Sequence, residues 1–308
     1  MSEVKKIAGV SVPLFSLRKA GCCGAGDFGC LPLLTGLATA LGLEQIYVQD
    51  VFDSVMDVDR GPVFPVCIDL AALPPLTNRS KAESYAARAA ALDSESKVDY
   101  DAVYNLKMHH LRDLYLQEGA RVLSSDDYHS FWRTNRSWLE RYAAYCTLRH
   151  KYGTGNYRYW SEPAYEKMLE DANFIKEYSD DLRFHCYVQF LLSRQLESAV
   201  RYAAEAGITL VPCGTERAET EAVCLLQMEP WEAEEMVRER LHAGPYPVIL
   251  PLEDYLSVTS LLRSGDGHAQ VEAPADGGRR MTITLENILS HRALLDCIGK
   301  IVSDSINN

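Results

Sequence analysis

The spacing of apolar positions changes several times along the chain, and each change marks an element. Gly9 to Phe15 (GVSVPLF) is a short, valine-rich run that predicts a buried strand. Gly21 to Gly26 forms a glycine-rich turn, and Asp27 stands where it can cap a helix over Phe28 to Leu41, which Gly42 closes. Gln45 to Val51 predicts a second strand. Strand, helix and strand then fall within about 45 residues, the rhythm of a parallel βαβ unit. Pro65 to Leu70 (PVCIDL) is a third candidate strand, followed by the chain-breaking pair Pro74 and Pro75.

After Asn78 the spacing turns helical. Helices are predicted over Lys81 to Lys97, Tyr100 to Glu118, Tyr128 to Trp132, Trp138 to Tyr152 and Glu162 to Glu177. The second carries Val103, Leu106, Leu111, Leu114 and Tyr115 on one side. A long helix, Phe184 to Ala206, leads into a strand at Ile208 to Cys213. Then follow a helix at Glu229 to His242, a strand at Tyr246 to Leu250 and a helix at Glu253 to Arg263. Gly265 to Gly278 predicts a polar loop, and Met281 to Leu285 a strand or the entry to a last helix ending at Val302. The expected division is residues 1–77 as the first βα units of a barrel-like core, 78–182 as a helical insertion, and 183–308 as the remaining core with C-terminal helices. Five or six strands fall short of the eight that close an α/β barrel.

Composition narrows the partners. The chain of 308 residues is 47% hydrophobic and 24% charged, as expected of a soluble globular protein. With 43 acidic against 31 basic residues and no Lys/Arg block, it offers neither nucleic acid nor anionic lipid a positive surface. No run reaches the roughly 20 apolar residues of a membrane span, and Met1 to Lys6 is charged with no apolar run behind it. Nine scattered cysteines, an odd number, suit reduced thiols and a cytoplasmic location. Cys22, Cys23 and Cys30 lack a C-x-x-C pair and a nearby histidine, and the adjacent His109 and His110 face apart on a helix, so no metal is expected. Gly24, Gly26 and Gly29 spell G-x-G-x-x-G with Asp50 as an acidic partner, but the first glycine stands nine residues beyond Phe15. That is too far for a dinucleotide fingerprint, and no cofactor is expected.

Longer segments carry a family resemblance. GVSVPLFSLR (9–18) and the Gly24-Ala25-Gly26-Asp27-Phe28 turn are similar to the first strand and G-x-G-D-F turn of the amylomaltases, or 4-α-glucanotransferases, of glycoside hydrolase family 77. VDYDAVYNLKMHHLRDLY (98–115) and WLERYAAYCTLRHKYGTGNYRYW (138–160) resemble the family's helical insert. FHCYVQFLLSRQLESAVRYAAEAGI (184–208) resembles the long helix before its fourth barrel strand. VILPLEDYLSVTSLLR (248–263) and EAPADGGRRMTITLENIL (272–289) resemble its last strand and C-terminal helices. The resemblance implies an α/β fold, an incomplete or remodelled (β/α)8 TIM-type barrel with a large helical insertion. It also implies a place in α-glucan and maltodextrin metabolism, needing no cofactor. The family's chemistry is that of a retaining glycosidase, with one carboxylate as nucleophile and a second as acid and base.

The carboxylates are where the resemblance fails. The family's R-I-D-H strand, E-D-L-G motif and Thr-His-Asp motif occur nowhere in the sequence, and its G-D-L-P-I-G strand reads Thr209 to Gly214 with Leu210 at the aspartate position. Catalysis is therefore not expected. Were it present, Glu216, Glu219 and Glu221 after the fourth-strand analogue are the candidate carboxylates, against an ordinary acidic helix start. Asp53 matches the aspartate of the family's L-P-x-N-D-T turn, and Asp53, Arg217 and Arg280 are the candidate substrate-binding residues. Trp132, Trp138, Tyr142, Tyr145, Tyr152, Tyr157, Tyr159 and Trp160 can stack on sugar rings or pack helices. The expected partners are an α-glucan or maltodextrin, with a homodimer or a protein partner over any exposed sheet edge. The alternatives are an active 4-α-glucanotransferase with relocated carboxylates and an interaction module that binds no sugar.

Overall fold

In the computed structural model, which describes residues 7–53, 55, 61–95, 98–160, 165–214, 229–242, 248–257, 269–272 and 280–307, the first apolar run becomes β1 (Ala8–Pro13) inside a parallel sheet. Ala8, Val10 and Val12 are buried, and a Cβ on Gly9 would overlap the Ile249 side chain, so glycine lets the neighbouring strand close in. The short β2 (Leu17–Arg18) follows, then the glycine-rich turn. A 3-10 turn over Phe28–Cys30 opens α1 (Leu31–Ala40), and Asp27 caps it by accepting from the Gly29 N–H at 3.0 Å. β3 (Gln45–Gln49) then pairs parallel with β1, completing the expected βαβ unit.

The helical stretch holds α2 (Arg79–Ser94), α3 (Tyr100–Leu123), α4 (Asp126–Tyr152), α5 (Ala172–Glu177) and α6 (Ser179–Glu205). β4 (Thr209–Pro212), α7 (Pro230–His242), β5 (Val248–Pro251) and α8 (Leu252–Ser257) return to the sheet. β6 (Ala269–Glu272), β7 (Arg280–Thr284), α9 (Leu285–Ser290) and α10 (Arg292–Ile306) end the chain. The parallel sheet runs in the order β4-β3-β1-β5, and a second sheet runs β2-β7-β6. This is an α/β fold; among the described residues the four parallel strands do not close into a cylinder. No helix among them is long and apolar enough to cross a membrane.

Four expectations are corrected. Pro65 to Leu70 is not a strand but a pair of 3-10 turns, Pro65–Cys67 and Leu70–Ala72. Side chains take its backbone groups where a neighbouring strand would. Lys107 Nζ donates to the Val66 and Ile68 carbonyls, and the Gln195 amide pairs with both the N–H and the C=O of Asp69. Gln189 does the same to Val63, so α6 holds this segment through two amides. The two helices predicted at 128–132 and 138–152 are one, α4, because no glycine or proline falls between Asp126 and Tyr152. The last helix breaks at His291, which lets Leu285 and Ile288 before the break and Leu294, Ile298 and Ile301 after it all reach the core. β6 lies within the stretch read as polar loop.

One buried ion pair ties the core to the helices. Lys107 on α3 is fully buried, and its Nζ sits 3.0 Å from Asp27 Oδ2, 2.8 Å from the Val66 carbonyl and 2.7 Å from that of Ile68. All three ammonium hydrogens thus have acceptors, one before α1 and two on the segment 66–68. Burial pushes the Asp27 carboxyl up to about 6 against the pull of Lys107, whereas burial alone would lower the Lys107 ammonium, and the charge and hydrogen bond of Asp27 together with Cys23 and Cys22 hold it above its ordinary value. Both partners are charged at neutral pH. Lys107→Met would strand the Asp27 carboxylate and two carbonyls. The expected cost in urea denaturation is about 3–5 kcal/mol. A loss below about 1 kcal/mol, the size of a surface substitution, would mean that the pair is not needed.

Candidate functional site

The carboxyl ends of parallel strands are where an open α/β sheet offers a crevice. Here the end of β3 leads into Asp50, a non-glycine residue at φ +59°. The Asp50 and Val51 N–H groups donate to the Gly214 and Cys213 carbonyls at 3.4 and 3.0 Å, which stitches the exits of β3 and β4 together. Phe52 then bridges Val63, and the Asp53 N–H donates to the Pro62 carbonyl at 2.7 Å. The Gln189 amide on Val63 fixes this bridge to α6.

Asp53 is half-buried, and both its oxygens are engaged. Oδ2 accepts from the Tyr142 hydroxyl at 2.9 Å, and Oδ1 accepts from the Val55 N–H at 3.3 Å. Burial raises its carboxyl above the ordinary aspartate range, against those two hydrogen bonds and the Arg149 charge.

Helix α4 aims Tyr142, Tyr145, Cys146 and Arg149 at this place through their i, i+3, i+4, i+7 spacing. The Tyr142 and Tyr145 rings stack at 6.4 Å, and Trp160 lies 5.4 Å from Tyr145 and 6.0 Å from Tyr152. Tyr145 OH donates to the Gly155 carbonyl at 2.9 Å and Trp160 Nε1 to that of Thr154 at 3.0 Å, which pins the turn after α4. From α3, Tyr104 stacks on Phe64 at 6.3 Å and lies beneath the Arg149 guanidinium at 4.9 Å. Burial pushes the Tyr104 hydroxyl up to about 12, so it is a neutral donor.

The sequence-predicted residues fare differently. Asp53 stands at the centre of this cluster. Glu216, Arg217, Glu219 and Glu221 lie outside the described residues. Arg280 opens β7 of the second sheet, opposite Glu272, whereas Asp53 follows β3 of the first. Leu210, at the aspartate position of the fourth-strand motif, is buried in β4. Of the aromatics, Tyr142, Tyr145 and Trp160 are buried packing, while Tyr157 and Tyr159 are 53% and 79% exposed. Sequence reasoning missed Tyr104, Arg149 and Gln189. Arg149 was findable as the i+7 partner of Tyr142, while Gln189 gave no signal.

The glycine-rich turn is occupied by protein. A Cβ on Gly24 would stand 2.6 Å from the Leu92 carbonyl, and one on Gly26 would overlap the carbonyls of Leu14 and Leu17. Asp93, at the end of α2, accepts from the Gly21 and Gly24 N–H groups. The end of α2 therefore packs directly on this turn.

Comparison with known proteins adds a relationship. A family profile described as 4-alpha-glucanotransferase matches residues 12–217. A rice protein (Oryza sativa subsp. japonica) described as 4-alpha-glucanotransferase DPE2 is 29% identical over 229 residues, which cover 68% of this chain and 24% of that protein. A 4-alpha-glucanotransferase of Chlamydia caviae is 25% identical over 211 residues, 66% of this chain and 39% of its own length. The crystal structure of amylomaltase from Corynebacterium glutamicum superposes with a TM-score of 0.51 at 16% identity, over 98% of this chain and 38% of that one. Amylomaltase from Streptococcus agalactiae in complex with acarbose gives 0.51 at 16%, over 68% and 43%. At such identity the structural likeness speaks for fold alone. The chain spans well under half the length of these relatives.

Behind the cluster, His185 is buried on α6. Burial, aided by the charges of Arg112, His150 and Arg149, pushes its imidazole down to about 3. The unfolded chain takes up this proton near 6.5, while the folded chain refuses it until about 3. Stability from this residue is therefore whole above 6.5 and lost as pH falls, by up to about 1.4 kcal/mol per unit. Urea titrations between pH 7 and 4 should show that slope flattened in His185→Leu. Parallel profiles for the two proteins would overturn the assignment.

Proposed function

Because the chain belongs to the 4-alpha-glucanotransferase family, we propose that it binds α-glucan at the surface around Asp53 without transferring it. The carrying observation is in β4 and in the sequence. Leu210 stands buried at the position of the family's strand aspartate, and none of the three carboxylate motifs occurs in the 308 residues. Retaining transfer needs two carboxylates about 5 Å apart, one to attack the anomeric carbon and one to protonate the leaving oxygen. Losing one member of such a set removes rate on the order of 10⁴ to 10⁶.

What remains is suited to holding. Asp53 keeps lone pairs beyond its bonds to Tyr142 and Val55, and these can accept from sugar hydroxyls. The exposed faces of Tyr157 and Tyr159 offer apolar platforms to the flat sides of pyranose rings. On this reading residues 78–182 supply the aromatic wall, while 1–77 and 183–308 supply the sheet. Free thiols, eight of them among the described residues, suit the reducing cytoplasm.

Incubation with maltotriose, followed by chromatography, should yield neither longer maltodextrins nor glucose. Calorimetric titration with maltoheptaose should give saturable binding that Asp53→Asn weakens. Products would sink the non-catalytic reading and direct mutagenesis to Glu216, Glu219 and Glu221. The absence of both products and heat would leave a homodimer or a protein partner as the function.

A further inference from the structure

Most buried or half-buried charges in this molecule are matched. Lys107 has Asp27 and two carbonyls, and Arg112 has Asp180 and Asp181 at 2.9 and 2.8 Å. In the groove of about 280 Å³ between α4 and α6, Arg194 reaches Asp127 at 3.6 Å, Ser193 donates to Glu197 and Thr134 to the Ser130 carbonyl. That groove spends its polar groups on itself.

Arg149 differs. It is half-buried in the last turn of α4, and among the described residues it makes neither an ion pair nor a hydrogen bond. Its guanidinium carbon lies 4.9 Å over the Tyr104 ring. Such stacking uses the face of the guanidinium and leaves its N–H fork unspent at the edge. The negative end of the α4 dipole favours a cation here, but it does not hydrogen-bond the donors of the half-buried guanidinium. Asp53, whose charge bears on Arg149, already accepts from Tyr142 and Val55.

We propose that Arg149 is a ligand-binding residue that takes an oxyanion, a phosphate monoester carried on the bound glucan, through its free guanidinium fork beside Tyr104. Neutral sugar hydroxyls can fill single hydrogen bonds but leave the charge uncompensated. A phosphate offers paired oxygens at the spacing of the fork and cancels the charge at once. The carrier rests on the glucan reading above, whereas the anion rests on Arg149 alone.

The test is calorimetric titration at low salt with three probes: maltoheptaose, maltoheptaose bearing a 6-phosphate, and inorganic phosphate. The phosphorylated chain should bind roughly tenfold or more tighter than the neutral one, as one charge-assisted pair allows. In Arg149→Gln the two chains should bind alike. Arg149→Lys, which keeps the charge without the fork, should retain part of the preference, and circular dichroism checks that both variants fold. Equal affinities in the unaltered protein, or a preference that survives Arg149→Gln, would overturn the proposal. If maltoheptaose fails to bind while inorganic phosphate binds and Arg149→Gln abolishes it, Arg149 keeps its role and the glucan reading falls.

Discussion

The Lys107 ammonium is the point on which the rest of this structure depends. It draws together the turn before α1, the irregular segment 66–68 and helix α3, three pieces far apart in sequence. A buried ion pair is weak evidence for stability in itself, since leaving water costs each partner heavily. Its value here is positional. One cation with three acceptors permits one arrangement, and a greasy replacement would permit several. Because the segment after Lys107's acceptors also carries the Asp69 backbone held by Gln195, the helical stretch is registered against the sheet at two neighbouring places.

How much of this was legible in the sequence follows from where each signal is local. β1, α1, β3 and the Asp27 cap were readable because apolar runs, glycines and a capping residue announce themselves within a few positions. The single α4 was misread as two because its middle is polar, although polar residues alone do not end a helix. Pro65 to Leu70 was misread because its composition is that of a strand while its backbone partners are side chains 39 to 126 residues away. Asp53 was reachable through its motif. Its environment was not, since Tyr104 and Tyr142 come from two helices that the sequence presents separately.

The site has the same divided character. One half is inward-facing and settled, with Tyr142, Tyr145 and Trp160 locked by stacking and by bonds to the following turn. Toward solvent, Tyr157 and Tyr159 are exposed, and the Arg149 guanidinium stacks on Tyr104 with no ion pair among the described residues.

The two glutamines of α6 carry a further consequence. Gln189 and Gln195 each grip a residue 126 positions earlier, Val63 and Asp69. Six residues of helix advance about 9 Å, at 1.5 Å each. Six residues of strand would advance about 20 Å. The gripped segment must therefore be shortened to match the pitch of its holder, and the 3-10 turn at Pro65–Cys67 does the shortening. A rod with two hooks thus sets the contour of the loop it carries, and a residue inserted or deleted between Val63 and Asp69 would pull one of them off its hook.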